Sequence, residues 1–399
     1  MQSDLITTAT PLTGRGQILK TLAYYLAFIG LGMVGATLGP TLPGLAEQTG
    51  VRLHQISYLF MSRSMGYLLG SVMGGRLYDR LPGHRLMALV LVTLAFAVAL
   101  VPAVSFLWVM MAVMVLIGSF EGAIDVGGNT MLVWVHHPKT GPFMNGLHFF
   151  FGVGAFLAPV MIAQVMLVTG GIGWAYWLLG ILLIPIALFV LQLPSPVIQR
   201  VEDAAPSRQV NYLLVTLLAA FFFLSVGAEV GFGGWIYTYA YRLQLANETQ
   251  AAYLTSLFWG TFTAGRLLAI PIAARVRPRW ILLGDLIGVM LGLLIILFAP
   301  QPGVSIWVGT IIIGLSIASV FPTLISFAEH RMALSGKITS YFFVGASLGG
   351  MTIPWLIGQL FESIGPHSTM VALLVDMLLA LGIYAALIIY AGRLERRNR

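Results

Sequence analysis

No cysteine occurs among the 399 residues, which excludes disulfides and thiolate metal centres. Charge is also scarce: Asp, Glu, Lys and Arg make up 9% of the chain and hydrophobic residues 58%, where an ordinary soluble domain carries about 25% charged residues. That polar surface is too small to cover a water-soluble globule. In a bilayer the difficulty disappears, because the outside of the protein is then meant to be apolar. A membrane-crossing helix needs about 20 apolar residues to span about 30 Å of hydrocarbon. About twelve such spans with short loops use nearly the whole chain, so no room is left for an ATPase. No P-loop, dinucleotide fingerprint or G-x-S-x-G elbow is found, and neither enzymatic activity nor a cofactor is expected. Residues 1–17 are polar and mixed, and the apolar run after them is too long for a signal-peptide core, so no cleavable leader is expected.

Apolar runs at 18–44, 54–75, 84–103, 105–134, 143–168, 172–193, 210–240, 248–272, 280–299, 303–328, 336–361 and 366–391 predict twelve helices. The net charge of +7 could suggest nucleic acid, but the positions of the charges argue otherwise. Of the 21 Lys and Arg residues, 17 fall in loops on one side, Arg52 and Arg242 fall on the other, and Arg63 and Arg266 lie within spans. This is the positive-inside pattern of an inner-membrane protein with both termini in the cytoplasm. The longest polar stretch, Pro194 to Gln209, follows the sixth span, so the chain divides into a bundle over 1–193, a cytoplasmic linker over 194–209 and a second bundle over 210–399. The stretches FFFGVGAFLAP (149–159) and YFFVGASLGGMTIP (341–354) echo one another at matching places in the two halves.

The spans contain Arg63, Glu121, Asp125, Glu229, Arg266 and Asp376; Asp285 lies nearer a membrane edge and is discounted. Each such group costs about 2.5–3.5 kcal/mol at a helix centre, which marks a pathway, a proton relay or a buried pair. Glu121, Asp125 and Asn129 are spaced i, i+4, i+8, so they share one helix face and climb about 12 Å. They read as a cavity stripe, with Glu121 and Asp125 coupling a cation and Asn129 meeting substrate; a polar lock between this helix and Arg63 is the alternative. Two Arg against four acids leave two surplus negatives, which must be protonated or hold a cation. Either state suits coupling to Na⁺ or H⁺, and Na⁺ could sit at Asp125 and Asn129, although no other metal is expected.

Glu229 sits in a glycine-rich run, GAEVGFGGWIYTYA (227–240), of the kind that loosens a span where it lines a cavity. Trp235 within it offers a face for an apolar sugar ring. Asn145 and His148 share a face of span five, and Trp259 precedes Arg266 on span eight. These add Asn145, His148, Glu229, Trp235 and Trp259 to the expected substrate contacts, with Arg63 and Arg266 pairing charges. His136 and His137 are adjacent and unsuited to metal, and the 18 Met residues read as apolar filler.

The loop GGRLYDRLPGHR (74–85) resembles the signature loop of the major facilitator superfamily, Gly-x-Leu-x-Asp-Arg-x-Gly-Arg-Lys. Gly75, Leu77, Asp79, Arg80, Gly83 and Arg85 match it with one residue inserted. The resemblance implies an all-α fold of two six-helix bundles related by a pseudo-two-fold axis. It also implies a cytoplasmic gate at Asp79, Arg80 and Arg85, where Asp79 latches onto the opposite half. Within the superfamily EGAIDVGGNT (121–130), NGLHFFFGVGAFLAP (145–159), GAEVGFGGWIYTYA (227–240) and SLFWGTFTAGRLLAI (256–270) look like the sodium-dependent glucose transporter branch, distantly similar to fucose permeases. That implies symport of a hexose-like sugar with Na⁺ or H⁺ by a monomer in the lipid bilayer. Span five lacks the Gly-Pro and paired-Gly motif of the drug antiporters. A proton-coupled exporter of an amphipathic or lipid-like compound is the second reading, and a non-transporting scaffold the third.

Overall fold

Prolines divide two of the spans where a uniform apolar run predicts one straight helix. Pro40 and Pro322 each lack the N–H that would bond four residues back, to Ala36 and Ala318, and each ring crowds that carbonyl. The computed structural model, which describes residues 14–137, 139–197, 211–299, 301–332 and 336–397, breaks its helices at those places. Its first crossing is α1 (Gly14–Gly35) followed by α2 (Leu38–Thr49), and its tenth is α12 (Pro302–Ile317) followed by α13 (Val320–Glu329). The second crossing is also split, into α3 (Leu53–Ile56) and α4 (Tyr58–Tyr78). Single helices make the rest: α5 (Gly83–Leu100), α6 (Leu107–His136), α7 (Gly141–Thr169), α8 (Gly173–Leu191), α9 (Tyr212–Arg242), α10 (Glu248–Ala273), α11 (Pro278–Phe298), α14 (Gly336–Ser363) and α15 (Ser368–Arg397). Among the described residues, fifteen α-helices with three crossings split in two thus give twelve crossings. Proline alone does not break a helix here, since Pro159, Pro185, Pro271 and Pro354 lie inside continuous ones.

Ten crossings are long and apolar enough to span a bilayer on that ground alone; the other two hold Arg63 and Arg266. The outer surface carries large apolar side chains, with Trp108 78% and Phe298 75% exposed, as a lipid-facing exterior requires. The chain is a multi-pass membrane protein, and the parity of twelve crossings puts its termini on one face. Asn211 accepts from the Leu214 N–H to begin α9, and Asn247 with Gln250 forms a capping box that begins α10. From residue 198 onward the expected linker lies outside the described residues.

Glycines set the closest helix contacts. A Cβ on Gly66 or Gly70 of α4 would lie 2.1 Å from the Val115 carbonyl oxygen or 1.8 Å from that of Ser119, both on α6. One on Gly118 or Gly122 of α6 would lie 2.0 Å from the Arg63 oxygen or 2.2 Å from that of Tyr67. Each pair of glycines is four residues apart, so each helix offers a smooth stripe to the other, as membrane helices do when their backbones touch. The second half repeats the device between α9 and α14, where Gly345 and Gly349 abut the carbonyls of Ala219 and Phe223. Gly70→Val is expected to pry α4 from α6 and destabilise by about 1–3 kcal/mol or more. Gly284→Ala, where nothing lies within 4 Å of an added Cβ, should be neutral or slightly stabilising. Thermal unfolding of the two variants in detergent, read against wild type, makes the comparison, and equal melting temperatures would contradict the assigned role of the stripe.

Candidate functional site

The α4–α6 contact carries two polar bonds in one register. Arg63 grips Glu121 with two nearly parallel bonds, Nε to Oε2 at 2.7 Å and Nη2 to Oε1 at 2.6 Å. One turn further along both helices the Tyr67 hydroxyl donates to Asp125 Oδ2 at 2.5 Å. Arg63 also donates to the carbonyls of Gly35 (2.9 Å) and Val34 (3.4 Å), next to the break between α1 and α2. The guanidinium therefore ties three helices together and supplies donors where the helix ladder is interrupted. Glu121, expected to couple an ion, has both oxygens bonded to this guanidinium, the geometry of the polar lock weighed as the alternative. Charges so placed hold one another by geometry more than by net energy, since desolvation offsets much of their attraction.

Asp125 differs. Tyr67 and Asn129 both donate to it, Asn129 Nδ2 reaching Oδ1 at 3.0 Å, and no Arg or Lys lies within ion-pair distance. The Arg63–Glu121 pair is the sole ion pair within 4.0 Å among the described residues. Facing Asp125 from the other half is Arg266 on α10, which lies in the electrostatic reach of Glu229, Asp125 and His148. Its guanidinium carbon rests 4.5 Å from the centre of the Phe262 ring, and its Nε is buried without a hydrogen-bond partner. Trp259, two turns earlier on α10, likewise has a buried Nε1 with no acceptor. Unbonded donors on α10 (Trp259, Arg266) thus lie in the same region as the carboxyls of Asp125 and Glu229, which are within electrostatic reach of Arg266. His148 contacts Phe28 edge-on at 6.0 Å. Asp125, Asn129, His148, Glu229 and Arg266 all keep partial exposure, and Asn145, nearer the face of the termini, is exposed.

The remaining expected residues lie elsewhere. Trp235 is fully buried; its indole donates to the Pro354 carbonyl at 2.9 Å and packs between Phe361 and, across the halves, Phe60. It belongs to the seam between the halves and not to the partly exposed wall. Around it Gln359 donates to the His54 carbonyl (2.8 Å), Ser57 approaches the Trp355 carbonyl (3.5 Å), and Gln164 meets Tyr253 (2.6 Å). These contacts close the face opposite the termini. Asp79, Arg80 and Arg85 are exposed on the face of the termini.

Two further acids lie apart from this group. Asp285 is buried and accepts from Ser319 (2.6 Å) at the α12–α13 break, while Asp376 is buried with neither oxygen bonded. Tyr67 went unnoticed in the sequence, although it follows Arg63 by four residues just as Asp125 follows Glu121. An apolar groove of about 710 Å³ runs along the flank of α9, α14 and α15, lined by Val215, Phe223 and Leu348 among others. None of the polar residues named above lines it.

The family model for the Major Facilitator Superfamily matches residues 24–354, and the chain belongs to that superfamily. It is therefore a transporter. It is 35% identical to sodium-dependent glucose transporter 1 of Xenopus laevis over 359 residues, which cover 82% of this chain and 73% of that one. It is 32% identical to the Homo sapiens protein of the same name, over 84% of this chain and 72% of that one. Major facilitator superfamily domain-containing protein 4A of Homo sapiens is 27% identical over 94% and 93% of the two chains. Among solved structures, a bacterial homolog of the human lysosomal transporter Spinster, inward-facing and occupied, superposes with a TM-score of 0.75 at 14% identity, covering 96% of this chain and 98% of that one. The nucleoside transporter NupG gives 0.72 at 14%, covering 94% and 98%. At that identity these two speak for the fold alone.

Glu121→Gln is expected to destabilise by about 3–5 kcal/mol, because it strands the Arg63 charge. Replacing both partners, Arg63→Met with Glu121→Met, should recover part of that loss. Unfolding temperatures of the single and double variants check this, and additive losses would refute the lock.

Proposed function

We propose that this protein is a symporter of a neutral, hexose-like sugar driven by a cation gradient, Na⁺ or H⁺. The observation that carries the reading is that Asp125, hydrogen-bonded by Asn129, shares with Glu229 and His148 the electrostatic reach of Arg266, whose own guanidinium has no ion pair within 4.0 Å among the described residues. A sugar hydroxyl both donates and accepts, so it suits a region that holds both unbonded donors and carboxyls. The surplus carboxyl gives a cation or proton its place, at Asp125 beside Asn129. Trp259 and Phe262 pack edge to face beside Arg266 on α10 and are buried there. The names of the relatives, sodium-dependent glucose transporters, support both the sugar and the ion.

Transport follows by alternating exposure of this cavity as the two bundles, 1–193 and 210–399, rock about it. With both termini in the cytoplasm, the closed seam at Trp235, Gln359 and Ser57 faces outward, and the exposed Asp79 is a gate latch in its released position. Glu229 and Asn145 complete the sugar contacts, and the carrier works as a monomer in the inner membrane. An exporter of an amphipathic compound would need the flank groove to join the cavity, and the two share none of the polar groups above.

The test is uptake of labelled hexoses into proteoliposomes under imposed Na⁺ or H⁺ gradients. Wild type should concentrate a hexose with one of the two, and Asp125→Asn should fold normally yet lose uphill uptake altogether. Absence of gradient-driven hexose uptake in wild type, or concentrative uptake by Asp125→Asn, would overturn the reading.

A further inference from the structure

The apolar groove along α9, α14 and α15 has a definite depth. On α9 its lining runs from Tyr212, the first residue of the helix, to Leu224; on α14 it runs from Tyr341 to Leu348, and on α15 it takes in Leu379 and Ile383. The α9 stretch rises about 18 Å, close to half of the hydrocarbon thickness of about 30 Å. The helix starts on the face of the termini, so the groove runs from that face to the middle of the bilayer, the depth of one leaflet. Small residues open it: Ala219, Ala220 and Gly345 line it where the backbones of α9 and α14 touch. Its polar side chains are Tyr212, Thr216 and Tyr341, all toward the face of the termini. Tyrosine is the residue that belongs where an apolar layer meets a wet one.

Charge is gathered at the same end. Asn211, which caps α9, hydrogen-bonds Tyr390 of α15 at 3.0 Å, so the last turns of α15 stand beside the first residue of the groove. Those turns carry Arg393, which is exposed, then Arg396 and Arg397, against Glu395 as the only acid. On α14, Lys337 comes one helical turn before Tyr341. An apolar slot one leaflet deep, with cations at its outer end, matches a molecule with a chain and an anionic head. The face of a second copy would pair over whole spans, whereas this groove stops halfway. A substrate in transit would have to reach Asp125 or Arg266, and neither lines it. We propose that the groove is a binding site for an anionic phospholipid of the leaflet on the side of the termini, with an acyl chain between α9, α14 and α15 and the phosphate among Lys337, Arg393 and Arg397. This lipid stays on the flank and is not carried, so the site stands whether or not the substrate is a sugar.

Native mass spectrometry of the purified full chain in detergent tests it, by titration with dioleoyl phosphatidylglycerol and, separately, dioleoyl phosphatidylcholine. Wild type should retain one phosphatidylglycerol saturably, about tenfold or more tighter than phosphatidylcholine, and the triple variant Lys337→Gln, Arg393→Gln, Arg397→Gln should lose that preference while its weaker hold on phosphatidylcholine stays. Ala220→Phe and Leu348→Trp fill the groove from two different helices, and each should lose both lipids. Melting temperatures in detergent identify a variant that fails to fold, and either filled groove then suffices. Phosphatidylglycerol with a photoreactive acyl chain should label peptides of α9 and α14. Equal retention of the two lipids by wild type, unchanged retention in a folded groove-filled variant, or labelling confined to the first half would overturn the proposal. A lipid-free dimer that the fillings abolish would give the groove to a second copy and overturn it as well.

Discussion

Arg63 and Glu121 lie where a bilayer-spanning fold can least accept charge, and much of the site is arranged around their pairing. The pair requires α4 and α6 to approach until backbone meets backbone, which Gly66, Gly70, Gly118 and Gly122 allow. That same approach brings Tyr67 against Asp125 one turn further on, and Asn129 closes on Asp125 from within α6. A structural pair and a candidate ion site are thus consecutive rungs of one contact. The second half has the corresponding close approach, Gly265 of α10 against Leu315 of α12, but α12 carries no acid. Its arginine, Arg266, therefore has no partner on the facing helix and turns its charge on Glu229 of its own half and Asp125 of the other. That difference between two similarly built halves leaves Arg266 within electrostatic reach of Glu229 and Asp125 with neither in ion-pair contact.

The seam that closes the face opposite the termini is polar but uncharged. Gln359, Ser57 and Gln164 hydrogen-bond across it, with Trp235 and Phe60 packed behind them. Each neutral bond contributes about 0.5–1.5 kcal/mol. A handful of such bonds holds one conformation without making the other inaccessible, whereas a buried ion pair at the same place would resist opening far more. Charge is thus used inside the first half, between α4 and α6, and neutral contacts are used between the halves.

Much of this was legible in the residues taken in order. Lipid imposes long apolar runs, so the twelve spans and the stripe of Glu121, Asp125 and Asn129 follow from spacing, while the paired-bundle fold follows from the resemblance carried by the loop over 74–85. The breaks in the first and tenth crossings were less legible. Pro40 and Pro322 mark them, yet Pro159, Pro185, Pro271 and Pro354 sit in unbroken helices, so proline by itself does not give the break. Asp285 was set aside for its place near a span end, and its bond to Ser319 depends on a break that hydropathy does not reveal. Glu121 and Asp125 look alike in sequence and differ only through Arg63, whose reach to one and not the other is a matter of helix register. Trp235, in a glycine-rich run, reads as a cavity aromatic, but packing turns it into the seam.

The central claim is that Asp125 carries the coupling charge while Glu121 is structural. Its most direct measurement is the current evoked by a hexose pulse on proteoliposomes adsorbed to a sensor membrane. The account predicts a cation-dependent current in wild type that vanishes in Asp125→Asn, while that variant still binds the hexose. A current that persists in Asp125→Asn, or a wild-type hexose current indifferent to both Na⁺ and H⁺, would contradict it.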